Sequence, residues 1–528
     1  MALGSAVSRA TGFARTAVLA AAIGFGLVGD AYNTANLLPT LIYELLLGGL
    51  LASVVVPLLV HARHRDADGG DAFTHRLLTL IVVAVTAVTL LAVFAAPALT
   101  WLYGIRDDAD QVALTTLLTR IMLLEIVFYA VYGALGAVLN SRGVFGPPAW
   151  SPVLNNLVVI ATCAAFIGLR GAGALTPASM PAGGAWLLGV GTTLGIVVQA
   201  VVLLPALRRT GLRWRWRFDW RGAGLGEAGR LCLWVLVDAV LSQAGYLVIT
   251  SAANTAGRAS GVGSTVYANA HLLLQMPYGI IGIALLTALL PRMSRAAAAG
   301  DAPGLLADLS LGSRLTAVAL VPVTAALMVL GPALGTVVFA RGAVGPGAAR
   351  TVGTVLAVSA FGLVPMAIGT LQRQVCYALK DARTPALING GMAVLLIPLC
   401  LAVPRVLAPG RVVAGLAVAY GLAQVAGLLA GQVWLRRRFG RLGSGRVLRT
   451  VARLSLVSAV GGAVGWLAVR ETTELAGRGA PGSLAALLAG SAAGLVAGWL
   501  CCRVVHIPEV RALGELVRAR LTGARHAD

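Results

Sequence analysis

Long apolar runs alternate with short polar segments along the chain. Fourteen of these runs reach about 20 residues, the length that an α-helix needs to cross a bilayer. Their predicted bounds are 3–28, 33–60, 77–103, 112–139, 150–169, 184–207, 231–253, 265–290, 314–339, 351–379, 385–403, 412–435, 449–469 and 484–505. The segments between them are too short for a soluble domain. The pattern therefore predicts an all-α polytopic membrane protein with about 14 transmembrane helices.

Two pairs of stretches indicate an internal repeat. The segment LLASVVVPLLVHARHRDADG (50–69) resembles LLTALLPRMSRAAAAGDAPG (285–304), and LNSRGVFGPPAWSPVLNN (139–156) resembles YALKDARTPALINGG (377–391). Both pairs have similar offsets, so spans 1–6 and 7–12 are predicted to be two copies of one six-helix unit. Because each copy has an even number of spans, both begin on the same side of the membrane. Parallel repeats of this kind are typical of transporters.

The repeat also predicts the domain organisation. The first six-helix unit occupies residues 1–222 and the second occupies 223–438, while 439–505 holds spans 13 and 14 as an appendage. In the tail, 506–528, apolar side chains fall on one helical face with arginines opposite. We expect this tail to form an amphipathic helix on the cytoplasmic membrane surface.

Composition and charge agree with a membrane protein and predict its orientation. The chain is 58% hydrophobic and 12% charged, with a mean hydropathy of +0.86, whereas soluble domains carry about 25% charged residues. The net charge of +21 lies in short loops between apolar runs, so we expect no nucleic-acid partner. With the N-terminus inside, 28 of the 41 basic residues fall on inner segments and nine on outer loops. The positive-inside rule thus predicts a membrane protein with both termini cytoplasmic.

The motif content argues against an enzyme. The sequence contains no phosphate-binding GxxxxGK[ST] loop, no metal-ligand spacing and no Ser/His/Asp set above chance. The six cysteines lie in or beside apolar runs and are interpreted as small buried hydrophobes. We therefore expect no cofactor. Transport would run on a sodium or proton gradient, on the membrane potential or on the gradient of the substrate itself.

Arginines in the first span are the strongest functional signal. Arg9 and Arg15 are six positions apart, about 9 Å along an ideal helix and 120° around it. A charge in hydrocarbon costs at least about 2.5–3.5 kcal/mol, so such residues usually face protein or water. Guanidinium groups bind phosphate through two hydrogen bonds. Both residues are therefore candidates for an anionic phosphate ligand, although Arg9 could instead snorkel to the cytoplasmic surface.

Two acidic residues follow in the first two spans. Asp30 is predicted at the outer end of span 1, as a loop residue or as a gate partner of a basic group. Glu44 lies in the middle of span 2, where we expect it to be paired with an arginine or protonated. Pro39 and the Gly48–Gly49 pair predict a bend around Glu44. A flexing helix beside a charged cavity suits alternating access.

Further polar residues lie in spans 4, 7, 8 and 10. In span 4, a mutual contact of Arg120 and Glu125, or pairing with neighbours, is as well supported as substrate contact. In span 7, Asp238 fits a monovalent-cation site or an ion pair with Arg373 equally well. His271 in span 8 more often indicates satisfied interior polarity than a proton relay.

Several motifs resemble a known family. They are SRATGFAR, GDAYNTANLLPT, the ELLLGG run, LNSRGVFGPPAWSPVLNN, QMPYGIIGIALLTALLPRMS and YALKDARTP, in this order along spans 1–11. Together they resemble the MurJ/MviN family of lipid II flippases, in the multidrug/oligosaccharidyl-lipid/polysaccharide exporter superfamily. The arginine-rich, lysine-poor composition resembles that of an actinobacterial member.

The resemblance implies a V-shaped pair of six-helix lobes around a central cationic cavity. That cavity would admit the headgroup of an undecaprenyl-pyrophosphate-linked peptidoglycan precursor, and spans 13 and 14 would form a groove for its lipid tail. Arg9, Arg15 and Asp30 correspond to charged residues of the family. Sodium sites associated with some members suggest Asp238, Gln374 and Asp381 as candidates here, and no other metal site is expected. Membrane lipids and peptidoglycan-synthesis proteins are the partners that the family implies.

Two departures from the family pattern keep the substrate open. Many members have a pair of arginines after LPN, where this chain has LPT followed by Tyr43 and Glu44. Many also have an arginine on helix 8, where this chain has His271 and Leu272. Tyr43, Glu44 and His271 are therefore further candidate substrate-binding residues, in a cavity less cationic than the family's. The alternatives are a cation-coupled exporter of drugs or of another polyprenyl-linked oligosaccharide, and a non-transporting wall-synthesis scaffold.

Overall fold

The computed structural model describes most of the chain. The described residues are 2–45, 59, 68, 70–171, 173, 175–212, 214–219, 226–379, 381–440, 444–477 and 479–505. Within these ranges the regular structure is helical and no strand occurs, which confirms the predicted all-α fold. The first member of the repeat pair at 50–69, apart from residues 59 and 68, and the amphipathic tail at 506–528 lie outside the described residues.

The described helices of the N-terminal half have 25 residues or fewer, except the last, which has 35. They are α1 (Ala2–Ile23), α2 (Leu27–Leu45), α3 (Asp71–Phe94), α4 (Ala96–Leu102), α5 (Ala109–Met122), α6 (Glu125–Ser141), α7 (Gly146–Arg170), α8 (Ala182–Val201), α9 (Leu203–Arg209) and α10 (Gly226–Ser260). Gly24, with a φ of 74°, ends α1 in the left-handed conformation that favours glycine. The turn that follows is so short that α2 begins at Leu27, six residues before the predicted start of span 2.

The C-terminal half contains longer helices. They are α11 (Ser264–Pro277), α12 (Ile283–Ala298), α13 (Ala302–Phe339), α14 (Pro346–Ser359), α15 (Leu363–Ala378), α16 (Arg383–Val406), α17 (Pro409–Phe439), α18 (Ser444–Ala476) and α19 (Ala480–Val505). A π-helical turn joins α11 to α12, and a 3-10 turn joins α14 to α15. Such interruptions within a membrane span commonly mark functional or strained positions.

The chain forms two compact units. The first contains Met1–Thr265, Arg341–Gly345 and Ala408–Gly410, and the second contains Val266–Ala340, Pro346–Leu407 and Arg411–Asp528. The first unit extends past the predicted repeat boundary at 222 because α10 contacts α2. The four predicted domain ranges follow the repeat rather than these contacts, and they stay a prediction.

Within the described residues, every predicted span falls on a helix or on a helix with one interruption. Residues 46–58 and 60 of the second predicted span lie outside them. Within the described ranges, ten helical stretches are long and apolar enough to cross a membrane. The other four predicted spans lie on α1, α2, α10 and the α11–α12 pair, which are the first two spans of each predicted repeat. These four carry Arg9, Arg15, Asp30, Asp238 and His271. Polar candidates therefore concentrate in the first two spans of each predicted repeat. The repeat and the count of 14 spans stay predictions.

Glycines allow two helices of the second unit to approach each other closely. A Cβ atom added to Gly353 of α14 would lie 2.0 Å from the carbonyl oxygen of Gly331 and 2.7 Å from the Cα of Pro332, both in α13. These neighbours are backbone atoms and cannot move aside without shifting a helix. Small residues at such contacts are a general device of membrane helix packing.

We expect Gly353→Ala to destabilise the second unit. The added methyl group must separate α13 from α14, and overpacking of this kind costs about 1–3 kcal/mol. The measurement is thermal unfolding of the purified protein in detergent. Gly347→Ala is the matched control, because Gly347 lies in the same helix with nothing within 4 Å of an added Cβ. Equal unfolding temperatures for the two variants would contradict the packing argument.

Candidate functional site

The first helix is held against α7 near its arginines. The side-chain amide of Asn156 in α7 donates hydrogen bonds to the Ser8 carbonyl oxygen at 3.1 Å and to the Thr11 hydroxyl at 3.0 Å. Arg9 is exposed, as a snorkelling residue would be, whereas Arg15 is half-buried. The two candidate arginines therefore differ in surroundings, and Arg15 is the one that faces the protein interior.

Arg15 belongs to a polar cluster inside the first unit. We define the Arg15 cluster as Arg15, Tyr32, Glu125, Thr192 and Thr193. The Tyr32 hydroxyl donates to the Thr192 oxygen at 2.7 Å, because the Thr192 hydrogen is directed to its own helix. The positive charge of Arg15 interacts electrostatically with the Glu125 carboxyl and the Tyr32 hydroxyl. Four helices thus bring one cation, one carboxyl and three hydroxyl groups together in the bundle interior.

Glu125 is the least expected member of the cluster. Its side chain is 0% exposed, and its Oε1 atom lies 3.4 Å from the Thr193 hydroxyl. Its Oε2 atom is buried without a hydrogen-bond partner in the part of the chain that the structure describes. Most buried polar atoms have a partner, so an orphaned carboxyl oxygen requires an explanation.

The helix interruption before Glu125 separates it from Arg120. Helix α5 ends at Met122 and α6 begins at Glu125. Arg120 is exposed on one side of this break, while Glu125 is buried on the other. Of the two structural options that the sequence left open, the surroundings of Glu125 match a contact with a neighbour, the Thr193 hydroxyl, rather than a mutual contact with Arg120.

Asp30 lies in the first turn of α2 rather than in a loop. It is 1% exposed, and its Oδ1 atom accepts hydrogen bonds from the Thr265 backbone amide at 2.8 Å and the Ser264 hydroxyl at 3.4 Å. Both donors belong to the first turn of α11, where a carboxylate is stabilised by the helix dipole. Asp30 thus accepts hydrogen bonds from an amide and a hydroxyl group. The sequence had also suggested a basic group as its partner, and these two donors are not basic. Its assignment to substrate binding stays a prediction.

Two glycines make room for this carboxyl group. A Cβ atom on Gly263 would lie 1.8 Å from Asp30 Oδ2, and one on Gly257 would lie 2.8 Å from the same atom. Nearby, Asn254 of α10 donates to the Thr34 hydroxyl of α2 at 2.9 Å. Helix α2 is therefore attached to α10 by polar contacts close to Asp30, inside the first unit.

His271 is surrounded by aromatic rings of the second unit. Its ring stacks on Tyr267 with centroids 5.8 Å apart and meets Tyr420 edge-on at 5.0 Å. Its Nε2 atom forms a 2.6 Å hydrogen bond with the Gln275 amide. These contacts agree with an interior histidine whose polarity is satisfied. The proposed contact of His271 with substrate stays a prediction.

The cation-site candidates are placed in different surroundings. Asp238 is half-buried on α10 in the first unit, while Gln374 on α15 and Asp381 belong to the second. Asp381 precedes α16 and accepts hydrogen bonds from the Thr384 amide at 3.0 Å and its hydroxyl at 2.6 Å. Burial raises the pKa of Asp381, but the bonds from Thr384 and Arg383 and the charge of Arg438 outweigh it and hold the pKa below its ordinary value.

A cation at Asp381 would therefore compete with the donors that begin α16. Across the described residues, no group of three or more His, Cys, Asp or Glu side chains has a metal-binding arrangement. The monovalent-cation site stays a prediction. Tyr43 and Glu44 lie in α2, but their side chains fall outside the described residues.

The second unit contains a cavity beside the two C-terminal helices. It has a volume of about 370 Å³ and lies between α13, α18 and α19. Its walls are apolar side chains such as Val329 and Trp499, together with a row of glycines that includes Gly461 and Gly494. Helix α19 also exposes large apolar side chains along its length. An apolar chain could be accommodated here without breaking hydrogen bonds.

Sequence comparison finds relatives over most of the chain. The family model described as "Lipid II flippase MurJ" matches residues 19–490. The chain is 27% identical over 408 residues to the "Probable lipid II flippase MurJ" of Rhizobium meliloti (strain 1021), covering 75% of this chain and 72% of the relative. It is also 27% identical over 398 residues to the "Lipid II flippase MurJ" of Burkholderia cenocepacia, covering 74% of each chain.

Solved structures share the fold. The structure titled "Lipid II flippase MurJ, inward closed conformation" has a TM-score of 0.74 at 18% identity and covers 96% of this chain and 99% of its own. An inward-facing multidrug resistance MATE family transporter of the MOP superfamily has a TM-score of 0.66 at 15% identity, covering 82% and 95%. The relatives are named as transporters, which confirms the prediction that the chain is not an enzyme. Since the family model spans most of its length, the chain belongs to the MurJ family of lipid II flippases.

Proposed function

We propose that this protein moves lipid II, an undecaprenyl-diphosphate-linked peptidoglycan precursor, across the bacterial cytoplasmic membrane by alternating access. The family membership supports this function. The observation in the structure that carries it is Arg15, a half-buried guanidinium in a largely apolar helix that also carries the exposed Arg9. Charged residues inside membrane helices usually face a protein interior or a water-filled cavity, and they mark the paths of substrates or ions.

The headgroup would bind through its diphosphate. Arg15 offers two parallel hydrogen bonds to phosphate oxygens, and Arg9 lies on the same helix nearer its N-terminus. The exposed Arg9 would meet the substrate first and the half-buried Arg15 second. Two cations along one helix therefore suit a ligand that carries two adjacent negative charges.

The lipid tail would remain in an apolar environment throughout. The cavity between α13, α18 and α19 has apolar walls and lies beside the exposed apolar face of α19. Because a prenyl chain needs no hydrogen bonds, such a groove can hold it while the headgroup crosses.

Net transport would be driven by an ion gradient or by the membrane potential. A sodium ion at Asp238, Gln374 and Asp381, a proton, or the membrane potential could each bias the cycle. Both termini would lie in the cytoplasm, as the distribution of basic residues predicts. Peptidoglycan-synthesis proteins on the inner basic loops would be partners.

The function is tested by complementation. A bacterial strain whose own lipid II flippases are depleted would be supplied with this chain, and lipid II reaching the outer leaflet would be measured by enzymatic labelling. We expect growth and labelled lipid II to be restored. Growth without outer-leaflet lipid II would favour a scaffold, and drug resistance without restored wall synthesis would favour a drug exporter.

A further inference from the structure

A larger cavity of the second unit has no role in the function described so far. It has a volume of about 740 Å³ and lies between α13, α15, α17 and α18. Its lining extends along α13 from Leu306 to Thr324, which is about 27 Å in ideal helix geometry. That length is close to the thickness of the hydrocarbon core of a bilayer, about 30 Å. The cavity is therefore long enough to hold a lipid chain.

The walls of this cavity are mainly apolar, and the cavity is open at its side. Leucine, valine, isoleucine and phenylalanine side chains form most of the lining. Leu429 and Val433 of α17 and Leu448 of α18 belong to the lining, and all three are exposed. Exposed apolar side chains on membrane spans contact lipid, so the cavity is accessible from the bilayer between α17 and α18. An apolar chain that enters there loses no hydrogen bonds.

One end of the cavity is polar. There the Nε2 atom of Gln372 in α15 donates a hydrogen bond to the Oε1 atom of Gln432 in α17 at 3.1 Å. Arg436 follows Gln432 by one turn of α17, and all three residues line the cavity. Gln372 is 4% exposed, and its Oε1 atom has no hydrogen-bond partner among the described residues. This end therefore offers a positive charge and an unused buried acceptor.

The polar end lies beside a strongly basic segment. Helices α13 and α18 begin near it and α17 ends near it. The segment 436–453, which contains the end of α17 and the first turns of α18, carries seven arginines. The positive-inside rule predicts that this end faces the cytoplasm. Anionic lipids are found in the cytoplasmic leaflet, and basic pockets between membrane helices on this side bind their headgroups.

We propose that this cavity binds one anionic phospholipid of the surrounding membrane. One acyl chain lies between the apolar walls, and the phosphate contacts Arg436. A headgroup hydroxyl, like those of phosphatidylglycerol, donates a hydrogen bond to the Oε1 atom of Gln372. Because the bound lipid contacts α13, α15, α17 and α18 together, it stabilises the second unit.

The lipid site is separate from the sites proposed for the substrate. Its lining residues are different from those of the smaller cavity beside α19, in which the prenyl tail was placed. The Arg15 cluster belongs to the first unit, whereas this cavity belongs to the second. Its single lining guanidinium also suits the one phosphate of a phospholipid, whereas the substrate carries a diphosphate. The inference therefore goes beyond the proposed function and does not rest on it.

The test measures lipid binding to the purified full-length protein in detergent. Phosphatidylglycerol and phosphatidylcholine with the same acyl chains are added separately to delipidated protein. Native mass spectrometry counts the lipids that stay bound, and thermal unfolding reports the stabilisation that binding produces. We expect one phosphatidylglycerol for each protein and a higher unfolding temperature, with phosphatidylcholine binding about tenfold more weakly because its headgroup has no hydroxyl and no net charge.

Variants of the polar end and of the walls locate the bound lipid. Arg436→Gln removes the charge, and we expect the affinity for phosphatidylglycerol to fall about tenfold or more, since a charge-assisted hydrogen bond is lost. Arg437→Gln is the matched control, because Arg437 is the next residue, is equally classed as exposed and lies outside the lining. It should bind as the wild type does. Ser310→Phe places a ring inside the cavity and should weaken the binding of both lipids.

Three results would overturn the lipid site. The first is equal affinity of the wild-type protein for the two lipids. The second is an equal effect of Arg436→Gln and Arg437→Gln, which would indicate attraction to the basic surface in general. The third is one-for-one displacement of phosphatidylglycerol by a short-chain prenyl diphosphate, which would assign the cavity to the substrate. If Ser310→Phe fails to fold, the two arginine variants still decide the question.

Discussion

Replacement of Arg15 by alanine is expected to abolish transport while the protein still reaches the membrane. The variant loses the charge-assisted hydrogen bonds to the diphosphate, each contributing about 1.5–3 kcal/mol. Loss of one such bond weakens binding about tenfold to a hundredfold. The measurement is outer-leaflet lipid II in a flippase-depleted strain, together with the amount of variant protein in the membrane.

Two further variants separate function from folding. Arg15→Lys keeps the charge but not the two parallel hydrogen bonds, and we expect partial activity. Arg120→Ala is the control, because this in-span arginine is exposed and lies outside the Arg15 cluster. Full transport by Arg15→Ala would contradict the assignment.

The second large effect is expected for Gly263→Ala. The added methyl group would lie 1.8 Å from Asp30 Oδ2, so the buried carboxyl group must leave its position. The Thr265 amide at the start of α11 then loses the acceptor that lies 2.8 Å from it. Overpacking and a buried unpaired donor each cost about 1–3 kcal/mol, a large share of typical protein stability of about 5–15 kcal/mol.

The measurement for Gly263→Ala is thermal unfolding of the purified protein, with elution from a sizing column as a second readout. We expect a strong fall in unfolding temperature, or aggregation during purification. Gly168→Ala in α7 is the control, since an added Cβ there has no atom within 4 Å. If both variants unfold at the wild-type temperature, the close packing around Asp30 is not important for the fold.

The helices could be predicted from the sequence because the membrane imposes one simple requirement. A span must be long, apolar and internally hydrogen-bonded, and these properties are visible in a window of about 20 residues. Arg9 and Arg15 were identifiable for the same reason, since a charge stands out in an apolar run. The start of α2 was predicted six residues late, because Gly24 ends α1 early and Asp30 then falls inside a helix.

The neighbours of these residues could not be predicted in the same way. Arg120 and Glu125 lie in one apolar run, yet a helix break without proline or glycine exposes the first and buries the second. In the sequence, Thr193 cannot be distinguished from the other small residues of an apolar span, although its side chain lies beside Glu125. The space for Asp30 depends on Gly257 and Gly263, more than 200 residues away in sequence. Contacts at such separations leave no local pattern.

Movement of lipid II between the two leaflets of a membrane can be measured with the protein alone. The direct measurement uses the purified protein in liposomes that contain fluorescent lipid II, with a membrane-impermeant reagent that quenches the outer leaflet. Wild-type protein should make nearly all of the lipid II accessible over time, and Arg15→Ala should not. If wild-type liposomes protect the inner-leaflet lipid II as completely as protein-free liposomes do, the protein does not flip lipid II.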